Sequence, residues 1–235
     1  MTILRGGRPT SGVSLGIIML DCKFPRPVGD IGNARTFPFP VQYQVLTGIP
    51  AADLTRHGKP EAVEALVEAA RRLEALGVKA ILTSCGLLIR YQQTLARSVS
   101  IPVASSALIL LPTIGALLPS DKKIAVIAAS NLPVSVFQQV GWGEPDRLVL
   151  AGLEDCPHFT SSIMEAQPPY ELDTEAVFSE VLAVCQTLKD EEPGIGAFLL
   201  ECTNLAPYTP RLKESLGLPV FDVNHLAHLL HAASS

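Results

Sequence analysis

Two cysteines stand at matching positions of an internal repeat. Residues 78–103 and 195–220 align without a gap at an offset of 117 positions, with nine identical residues in twenty-six, and Cys85 falls on Cys202. In each copy an apolar run ends at the cysteine, an amphipathic stretch comes next, and a proline opens a second short apolar run. This pattern predicts a strand–helix–strand unit with a thiol at the carboxyl end of a buried parallel strand.

Two thiols that face one cleft can invert a stereocentre without a cofactor. A thiolate on one side removes a proton from carbon, and a thiol on the other side returns one. The base must be the thiolate, so its pKa must fall from roughly 8.5 towards neutrality. Backbone N–H groups at the start of the following helix favour a negative sulfur. Because ligands of open α/β sheets bind outside the carboxyl ends of strands, we expect Cys85 and Cys202 to form a catalytic acid–base pair there.

Polar groups that hold a carboxylate or stabilise an enolate should lie in the same layer as the thiols. The candidates are Thr83, Ser84, Gly86, Ser130, Asn131, Thr203, Asn204 and the turn-rich loop that carries Asn33. Glu201 directly precedes Cys202, and a carboxylate beside a thiol disfavours the thiolate. Since successive side chains of a strand alternate between faces, Glu201 is expected to be able to point away.

The other cysteines and the histidines favour structural roles. Cys185 falls on a helix face and is predicted to be core, and Cys22 and Cys156 are also assigned to the structure. Five cysteines without paired short spacings indicate neither a disulfide framework nor a Cys-x-x-Cys metal site. Three histidines recur every third residue near the end of the chain (His225, His228 and His231), a spacing that drifts around a helix and favours packing or solvent over a metal.

Strand and helix patterns alternate along the whole chain. The strand patterns are 14–20, the run after Pro40, 78–84, 101–105, 124–130, 147–152 and the two in the second repeat. The helix patterns are 60–76 with Gly77 as its cap, 87–98, 106–117, 133–140, 174–189 and 223–232. Helix 106–117 is apolar all round, which predicts burial between the halves with a kink or split at Pro112. Two sets of four strands predict two doubly wound lobes, with 1–110 plus 223–235 as the first and 111–222 as the second.

Composition restricts the class of partner. Of 235 residues 48% are hydrophobic and 17% are charged, which is typical of a globular protein. A formal charge of −5 and a pI near 5.5 favour a small carboxylate-bearing substrate over nucleic acid. No apolar run reaches the roughly 18 residues that a membrane span needs, and the run 13–20 lacks the cleavage site of a signal peptide. We therefore expect a cytoplasmic protein with reduced thiols and no membrane partner.

The two cysteine motifs resemble a known superfamily. Thr83-Ser84-Cys85-Gly86 and Glu201-Cys202-Thr203-Asn204, set in two similar halves, resemble the aspartate/glutamate/hydantoin racemases. The resemblance covers nearly the whole chain. It implies two pseudo-symmetric flavodoxin-like lobes, each with a four-stranded parallel sheet flanked by helices, and an active site between them. It further implies cofactor-independent proton transfer between the cysteines, a homodimer, and a substrate carboxylate held by Ser130, Asn131, Thr203 and the region 29–33.

The motifs also depart from the amino-acid racemase pattern. Gly86 stands where glutamate racemases usually have asparagine and threonine, Asn204 replaces their common histidine, and Glu201 replaces a usual glycine. The resulting prediction is a racemase or epimerase of a small aspartate- or glutamate-like amino acid or a hydantoin. The alternatives are a maleate isomerase- or arylmalonate decarboxylase-like enzyme on a small dicarboxylate, and a two-lobed binding protein for a small carboxylate. The decarboxylases resemble a racemase that keeps only the second cysteine, so the pair argues against them.

Overall fold

The chain forms two four-stranded parallel sheets in a computed structural model that describes residue 7 and residues 11–234. The first sheet has the order β2-β1-β3-β4, with β1 at Leu15–Leu20, β2 at Val41–Leu46, β3 at Ala80–Thr83 and β4 at Val103–Ala104. The second has the order β6-β5-β7-β8, with β5 at Lys123–Ala128, β6 at Leu148–Gly152, β7 at Ile195–Leu200 and β8 at Val220–Phe221. The shared strand order confirms the predicted pair of similar α/β lobes.

Within the part of the chain that the structure describes, eight α-helices flank the sheets. They are α1 (Pro60–Leu76), α2 (Gln92–Ser98), α3 (Leu111–Leu117), α4 (Ser135–Gln138), α5 (Pro157–Phe159), α6 (Thr174–Glu191), α7 (Thr209–Leu216) and α8 (Val223–Ser234). The sequence explains the limits of the two long ones. Pro60 lies in the first turn of α1, and Gly77 ends it with a φ of 104°, a left-handed conformation that glycine adopts without strain. The Asp173 carboxylate caps α6 by accepting from the amides of Glu175 and Ala176.

The segments after the two cysteines differ from the predicted α-helices. A 3-10 helix follows each thiol, Gly86–Tyr91 in the first lobe and Thr203–Tyr208 in the second. The α-helices α2 and α7 begin only after these turns. The tighter 3-10 turn brings the backbone amides of residues two and three positions further on close to the cysteine.

Three other predicted segments are corrected. The predicted helix 106–117 is split into a 3-10 helix at Ala107–Leu110 and α3, with Pro112 in the first turn of α3. Its C-terminal Leu117 is 72% exposed, so the segment is buried on one side only. The predicted helix 133–140 is reduced to the single turn α4, and the predicted loop 158–169 contains the end of α5 and a π-helix at Thr160–Met164.

One hydrophobic core runs through both lobes. It contains alternate residues of β1 and β3 from the first sheet and of β5 and β7 from the second, joined by the buried side of 107–114. Helix α8 packs against β1 and β3 of the first sheet. The division of the chain at residues 110 and 223 stays a prediction. Among the described residues, no helix is both long enough and apolar enough to cross a bilayer.

Candidate functional site

A cavity of about 430 Å³ lies where the carboxyl ends of the strands of both lobes meet. Ligand pockets in proteins commonly have volumes of roughly 300–1,000 Å³. The lining residues from the first lobe are Leu20, Cys22, Phe24, Arg26, Ala51, Thr55, Arg56, Ser84, Cys85, Leu87, Ile89 and Arg90. Those from the second lobe are Ala129, Ser130, Asn131, Leu132, Pro133, Ser135, Val136, Gln139, Ile163, Met164, Cys202 and Asn204. Both repeat cysteines therefore line one cavity.

The Cys85 thiol lies at the end of β3 and is partly exposed. Burial in the cavity wall and the negative charge of Glu201 raise its pKa to about 12. Backbone amides of Leu87 and Leu88, at the start of the 3-10 helix, act in the opposite direction. The prediction of a pKa lowered towards neutrality is thus wrong, because desolvation and a neighbouring carboxylate outweigh the amides.

The Cys202 thiol is held by a network from both lobes. Its S–H donates to Asn204 Oδ1 over 3.6 Å, and Asn204 Nδ2 donates to Asp30 Oδ2 over 3.0 Å. Asp30 is 1% exposed and also accepts from Arg26 Nη1 at 2.8 Å and from the Gly32 amide. Burial, followed by the charge of Glu201, raises the pKa of Cys202 as well. This network therefore orients Cys202 as a protonated thiol.

The Arg26 guanidinium joins this network to the cavity. It lies over the Phe24 ring, 4.6 Å from the centroid, and both side chains line the cavity. The buried Asp30 carboxylate pairs with Arg26 and so balances the positive charge of its guanidinium. Two further arginines, Arg56 and Arg90, line the cavity. A substrate carboxylate would find cationic partners there.

The Glu201 carboxyl lies between the two cysteine motifs. It is 1% exposed, and among the described residues its Oε1 has no hydrogen-bond partner. A Cβ atom at Gly86 would approach Glu201 Oε1 to 2.3 Å, so the carboxyl occupies the space that the glycine leaves. Burial raises the pKa of Glu201 to about 7, and the Ala129 amide acts against that rise. The charge of Glu201 raises the pKa of both thiols, but Glu201 is not among the described residues that line the cavity, so the expectation that its side chain can point away from the thiols stays a prediction.

The predicted binding residues divide into two groups. The side chains that reach the cavity wall with the thiols are Ser84, Ser130, Asn131 and Asn204. The others lie behind it or apart from it: Thr83 donates to Ser105 O, Thr203 donates to Ser84 O, Gly86 packs on Glu201, and Asn33 caps a turn and donates to Arg26 O. The structure thus places four of the eight in direct reach of a ligand, and a substrate contact for any of them stays a prediction.

Sequence reasoning missed the loop after β1. Arg26 and Phe24 were not selected, Asp30 entered only as part of the loop, and Cys22 was assigned to the structure although it lines the cavity. The buried ion pair between Arg26 and Asp30 spans four residues in a Pro- and Gly-rich loop, where no periodic pattern identifies it. Asp30, an acidic residue within this loop, is the sequence feature that could have indicated a role for the loop in the site.

The histidines of α8 take separate partners. His225 Nδ1 bonds Asp222 at 2.8 Å, whereas His228 and His231 pack on the ring of Phe39. Among the described residues, no group of three His, Cys, Asp or Glu side chains is arranged to hold a metal ion. Hydrogen bonds of His225 and His231 and ring packing of His228 and His231 therefore account for the three histidines.

Comparison with known proteins extends over most of the chain. A dimethylsulfoniopropionate lyase from Durusdinium sp. clade D is 31% identical over 219 residues, which cover 89% of this chain and 71% of that protein. Dimethylsulfoniopropionate lyase 3 from Emiliania huxleyi (strain CCMP1516) is 32% identical over 222 residues, and the chain spans only 56% of its length. Allantoin racemase from Pseudomonas fluorescens shares the fold, with a TM-score of 0.61 at 13% identity over 93% of this chain and 89% of that chain.

The family assignment rests on the sequence model that covers most of these elements. Residues 49–229, from the loop before α1 into α8, match the model of the Asp/Glu/Hydantoin racemase family. The matched region includes both cysteines, Glu201 and the second-lobe cavity residues, while Arg26 and Asp30 lie before it. The resemblance of the two cysteine motifs is thereby confirmed: the chain belongs to the Asp/Glu/hydantoin racemase family.

Proposed function

We propose that this protein is a cofactor-independent enzyme that removes the proton next to a substrate carboxylate with a cysteine thiolate, and that its reaction is β-elimination from dimethylsulfoniopropionate. The proposal rests on the thiol pair of Cys85 and Cys202 in a cavity that three arginines also line. Similarity to dimethylsulfoniopropionate lyases over 89% of the chain supports the choice of substrate.

The cavity lining favours a sulfonium over an α-amino group. An ammonium group buried in a site needs hydrogen-bond acceptors, preferably carboxylates, for its three donors. Among the described lining residues there is no Asp or Glu, and much of the wall is apolar, including Leu132, Ile163 and Met164. A dimethylsulfonium group has no N–H or O–H to satisfy, so an apolar wall can surround its methyl groups. The carboxylate of the same substrate would face the arginine side.

The elimination balances without a cofactor. The thiolate takes the proton from the carbon next to the carboxylate, and the electrons of that C–H bond form the carbon–carbon double bond. The bond between the β-carbon and sulfur breaks, and its electrons leave with dimethyl sulfide. The products are acrylate, dimethyl sulfide and, once the thiol has returned its proton to solvent, one proton per turnover. The chemistry needs a base and a good leaving group, and the sulfonium supplies the latter.

Racemisation of a small amino acid or hydantoin is the second candidate. Two thiols in one cavity support it, because inversion requires an acid and a base on opposite sides of the carbon. In this reaction Cys85 and Cys202 exchange roles between enantiomers, and no proton is released. The two candidates share proton abstraction as their first step and differ in the second, which is loss of a leaving group or return of a proton.

Proton NMR in D2O tests both candidates with the same sample. Dimethylsulfoniopropionate should give the vinyl signals of acrylate, and the Cys85→Ser and Cys202→Ser variants should show which thiol is required. A panel of aspartate, glutamate and allantoin enantiomers should keep its α-proton signals. Exchange of an amino-acid or hydantoin α-proton, without acrylate from the sulfonium, would move the assignment to the racemase. Silence with every compound would contradict both enzymes and leave the binding protein.

The oligomeric state is part of the same proposal. We infer a homodimer, as the resemblance to the racemases implies. Light scattering coupled to size-exclusion chromatography should give about twice the chain mass of 25.1 kDa. A mass equal to one chain at micromolar concentration would contradict the dimer.

A further inference from the structure

We propose that Asp30 is a positioning residue that acts through Asn204 to keep Cys202 protonated. Cys85 is then the base that takes the substrate proton. The inference rests on the proposed function and gives each thiol of the pair a different role. Its basis is a chain of hydrogen bonds that begins in the loop after β1 and ends on the sulfur of Cys202 in the other lobe.

The carboxylate of Asp30 fixes which way the side-chain amide of Asn204 faces. An amide donates through its nitrogen and accepts through its oxygen, whereas a carboxylate only accepts. Asn204 Nδ2 donates to Asp30 Oδ2 over 3.0 Å, and its Oδ1 is thereby turned to the Cys202 thiol, from which it accepts over 3.6 Å. Because Oδ1 has no proton to give, the sulfur must carry one for this bond to form. A thiolate at Cys202 would lose the bond and face the lone pairs of the amide oxygen.

The Cys85 sulfur has no such partner. Among the described residues, Cys202 is the only cysteine whose thiol donates to a side chain. The backbone amides of Leu87 and Leu88 lie near the Cys85 sulfur, and amides favour a negative sulfur. The backbone amide of Asn204 does the same at Cys202, and burial raises the pKa of both thiols. The side chain of Asn204 is therefore the group that distinguishes the two.

Holding the loop after β1 does not by itself require the bond to Asn204. Asp30 is 1% exposed, and its Oδ1 accepts within the loop, from Arg26 Nη1 at 2.8 Å and from the Gly32 amide at 2.7 Å. These donors stabilise a buried carboxylate that would be costly alone. The other oxygen, Oδ2, accepts from a residue 174 positions further along the chain, which in turn contacts a thiol. The carboxylate thus connects the loop to the Cys202 unit.

Arg26 brings the same carboxylate close to the substrate. Its guanidinium lines the cavity, and only Nη1 is committed to Asp30 among the hydrogen bonds of the described residues. A guanidinium has five N–H donors and binds carboxylates through parallel pairs of them. A substrate carboxylate on Arg26 would lie one residue from Asp30, with its neighbouring carbon in the cavity that both thiols line.

This arrangement suits elimination better than racemisation. The Cys85 thiolate takes the proton next to the carboxylate, and the electrons of that C–H bond form the double bond. Dimethyl sulfide leaves with the electrons of the carbon–sulfur bond, and the S–H bond of Cys202 neither breaks nor forms. Racemisation instead requires the second thiol to give its proton to carbon. That proton is directed at Asn204 Oδ1 and would first have to leave it.

Alkylation tests the chain of hydrogen bonds without substrate. Iodoacetamide reaches the cavity that both thiols line, and mass spectrometry at pH 8 gives the rate of each, since the thiolate is the reacting form. In Asp30→Asn the side-chain oxygen should stay with the two donors of the loop, so its NH2 group faces Asn204 and reverses that amide. Asn204 Nδ2 then donates to the sulfur and favours the thiolate. Cys202 should therefore react about tenfold faster.

Three comparisons separate this effect from a loosened loop. Cys85 should keep its rate in Asp30→Asn. Adding Asn204→Asp to Asp30→Asn places a carboxylate beside Cys202 that again accepts from the thiol, and the rate should return to the wild-type value or below it. Asp21→Asn changes an acidic residue of the same loop that bonds outside this chain, and it should leave both rates unchanged.

Two results of the alkylation would overturn the inference. One is an unchanged Cys202 rate in Asp30→Asn, and the other is an increase that Asn204→Asp does not reverse. Asn204→Leu removes the acceptor and leaves the loop intact, so it should speed Cys202 about threefold. This variant decides the question if Asp30→Asn does not fold.

Turnover tests which thiol is the base. Cys85→Ser should lose about 10²–10⁴-fold in kcat, the usual contribution of a positioned base. Cys202→Ser should lose less than about tenfold, because its hydroxyl can still donate to Asn204 Oδ1. Asp30→Asn should lower kcat, since a second negative sulfur in the cavity opposes the thiolate of Cys85, and adding Asn204→Asp should restore it.

The outcomes separate this inference from the proposed lyase. A Cys202 rate that follows Asp30→Asn and its reversal, without turnover of dimethylsulfoniopropionate, would support the positioning role and contradict the lyase. Turnover of that substrate with Cys202 rates that ignore Asp30 would leave the lyase standing and overturn the inference. A larger loss in Cys202→Ser than in Cys85→Ser, or equal losses, would overturn the assignment of Cys85 as the base.

Discussion

The two cysteine units share a backbone but differ in the side chain that precedes the thiol. Ser84 and Glu201 are equivalent positions, and their backbone amides make equivalent bonds, to Ile18 O and Ile127 O respectively. The Ser84 hydroxyl is engaged within its own lobe, where it accepts from the Leu20 amide. The Glu201 carboxyl instead reaches across to Gly86 of the other lobe. At this position one copy of the repeat thus makes a structural hydrogen bond, and the other carries a buried ionisable group.

The residues after the thiols show the same division. Gly86 and Thr203 are equivalent, and both lie in the seam between the lobes. The Thr203 hydroxyl donates to Ser84 O over 2.7 Å, while Gly86 contributes only space for the carboxyl of Glu201. At both positions where the two repeats differ, the residue of one repeat therefore contacts the other repeat. These contacts join the two lobes at their common seam.

Replacing each thiol is expected to have the largest effect on activity. Cys85→Ser and Cys202→Ser remove the group that moves the proton, and positioned acid–base groups contribute about 10²–10⁴-fold. A racemase should lose turnover equally in both variants, whereas an elimination needs one thiol as base and should tolerate loss of the other better. Steady-state kinetics on purified variants measures the ratio. Cys156→Ala, outside the cavity, should retain wild-type rates, and full activity of both serine variants would contradict cysteine chemistry.

Removing the buried charge is expected to change stability with pH. The pKa of Glu201 is about 7 in the folded chain against an ordinary value of 4.5, so folding favours its protonated form. Its contribution to the free energy of unfolding is therefore complete below pH 4.5 and is lost as pH rises through 7. The loss is roughly 3 kcal/mol at 1.4 kcal/mol per unit.

Urea denaturation at pH 5 and pH 8 measures this loss, and Glu201→Gln should lack it. The hydrogen bond to Asp222 raises the pKa of His225 above its ordinary value of 6.5. Both proteins therefore also lose the stability that His225 contributes as the pH rises above 6.5 and through this raised pKa. The difference between wild type and variant therefore isolates Glu201. An equal decline in the two proteins would contradict the assigned pKa.

Filling the space at Gly86 is expected to destabilise the seam by about 2–3 kcal/mol. A Cβ atom there would lie 2.3 Å from both Glu201 Oε1 and the Glu201 carbonyl oxygen, so Gly86→Ala forces the lobes to adjust. Adding Glu201→Ser should recover only part of the loss, because the carbonyl oxygen remains. Thermal unfolding of the single and double variants measures the coupling. Strictly additive effects would show that the two positions do not interact.

Much of the fold was predictable because each lobe repeats local patterns. Apolar runs between turn residues identified the strands, and Pro60 and Gly77 marked the ends of α1, since these signals act within one segment. The 3-10 helices after Cys85 and Cys202 were predicted as α-helix, because their apolar spacing suits either form.

The candidate site was less predictable because it is built between lobes. The motifs indicated the cysteines, but the direction of Glu201 depends on the missing side chain of Gly86, far away in sequence. The place of Asp30 likewise depends on Asn204, 174 positions along the chain. The alternation of side chains along a strand predicts which face of its own sheet a residue lies on. It does not predict which residues of the other lobe that side chain will contact.

The smallest expected effect on stability comes from the hydrogen bonds at the start of α2 and α7, the helices that follow the two cysteines. Gln92 and Thr209 are equivalent positions at the start of α2 and α7, and each bonds the residue after the neighbouring strand. Gln92 Oε1 accepts from both the amide and the hydroxyl of Ser105, whereas Thr209 makes one bond, to Asp222 Oδ2 at 2.5 Å. Because a buried donor or acceptor left unpaired costs about 1–3 kcal/mol, Gln92→Leu, which leaves two donors of Ser105, should cost about 2 kcal/mol, and Thr209→Val, which leaves one acceptor of Asp222, about 1 kcal/mol.

Urea denaturation of the two variants at one pH measures this difference. The order depends on the number of groups left without a partner, since Asp222 keeps its bonds to the Asn224 amide and to His225 through Oδ1. Ser105, which is 0% exposed, has no comparable substitute for its two donors. The reverse order would mean that the carboxylate of Asp222 depends on Thr209 more than bond counting allows. In that case the charged carboxylate of Asp222 would stabilise the second lobe, whereas two hydrogen bonds to Gln92 stabilise the first. The two lobes would then differ here as they differ at Ser84 and Glu201, with a neutral hydrogen-bonding group in the first lobe and a carboxyl group in the second.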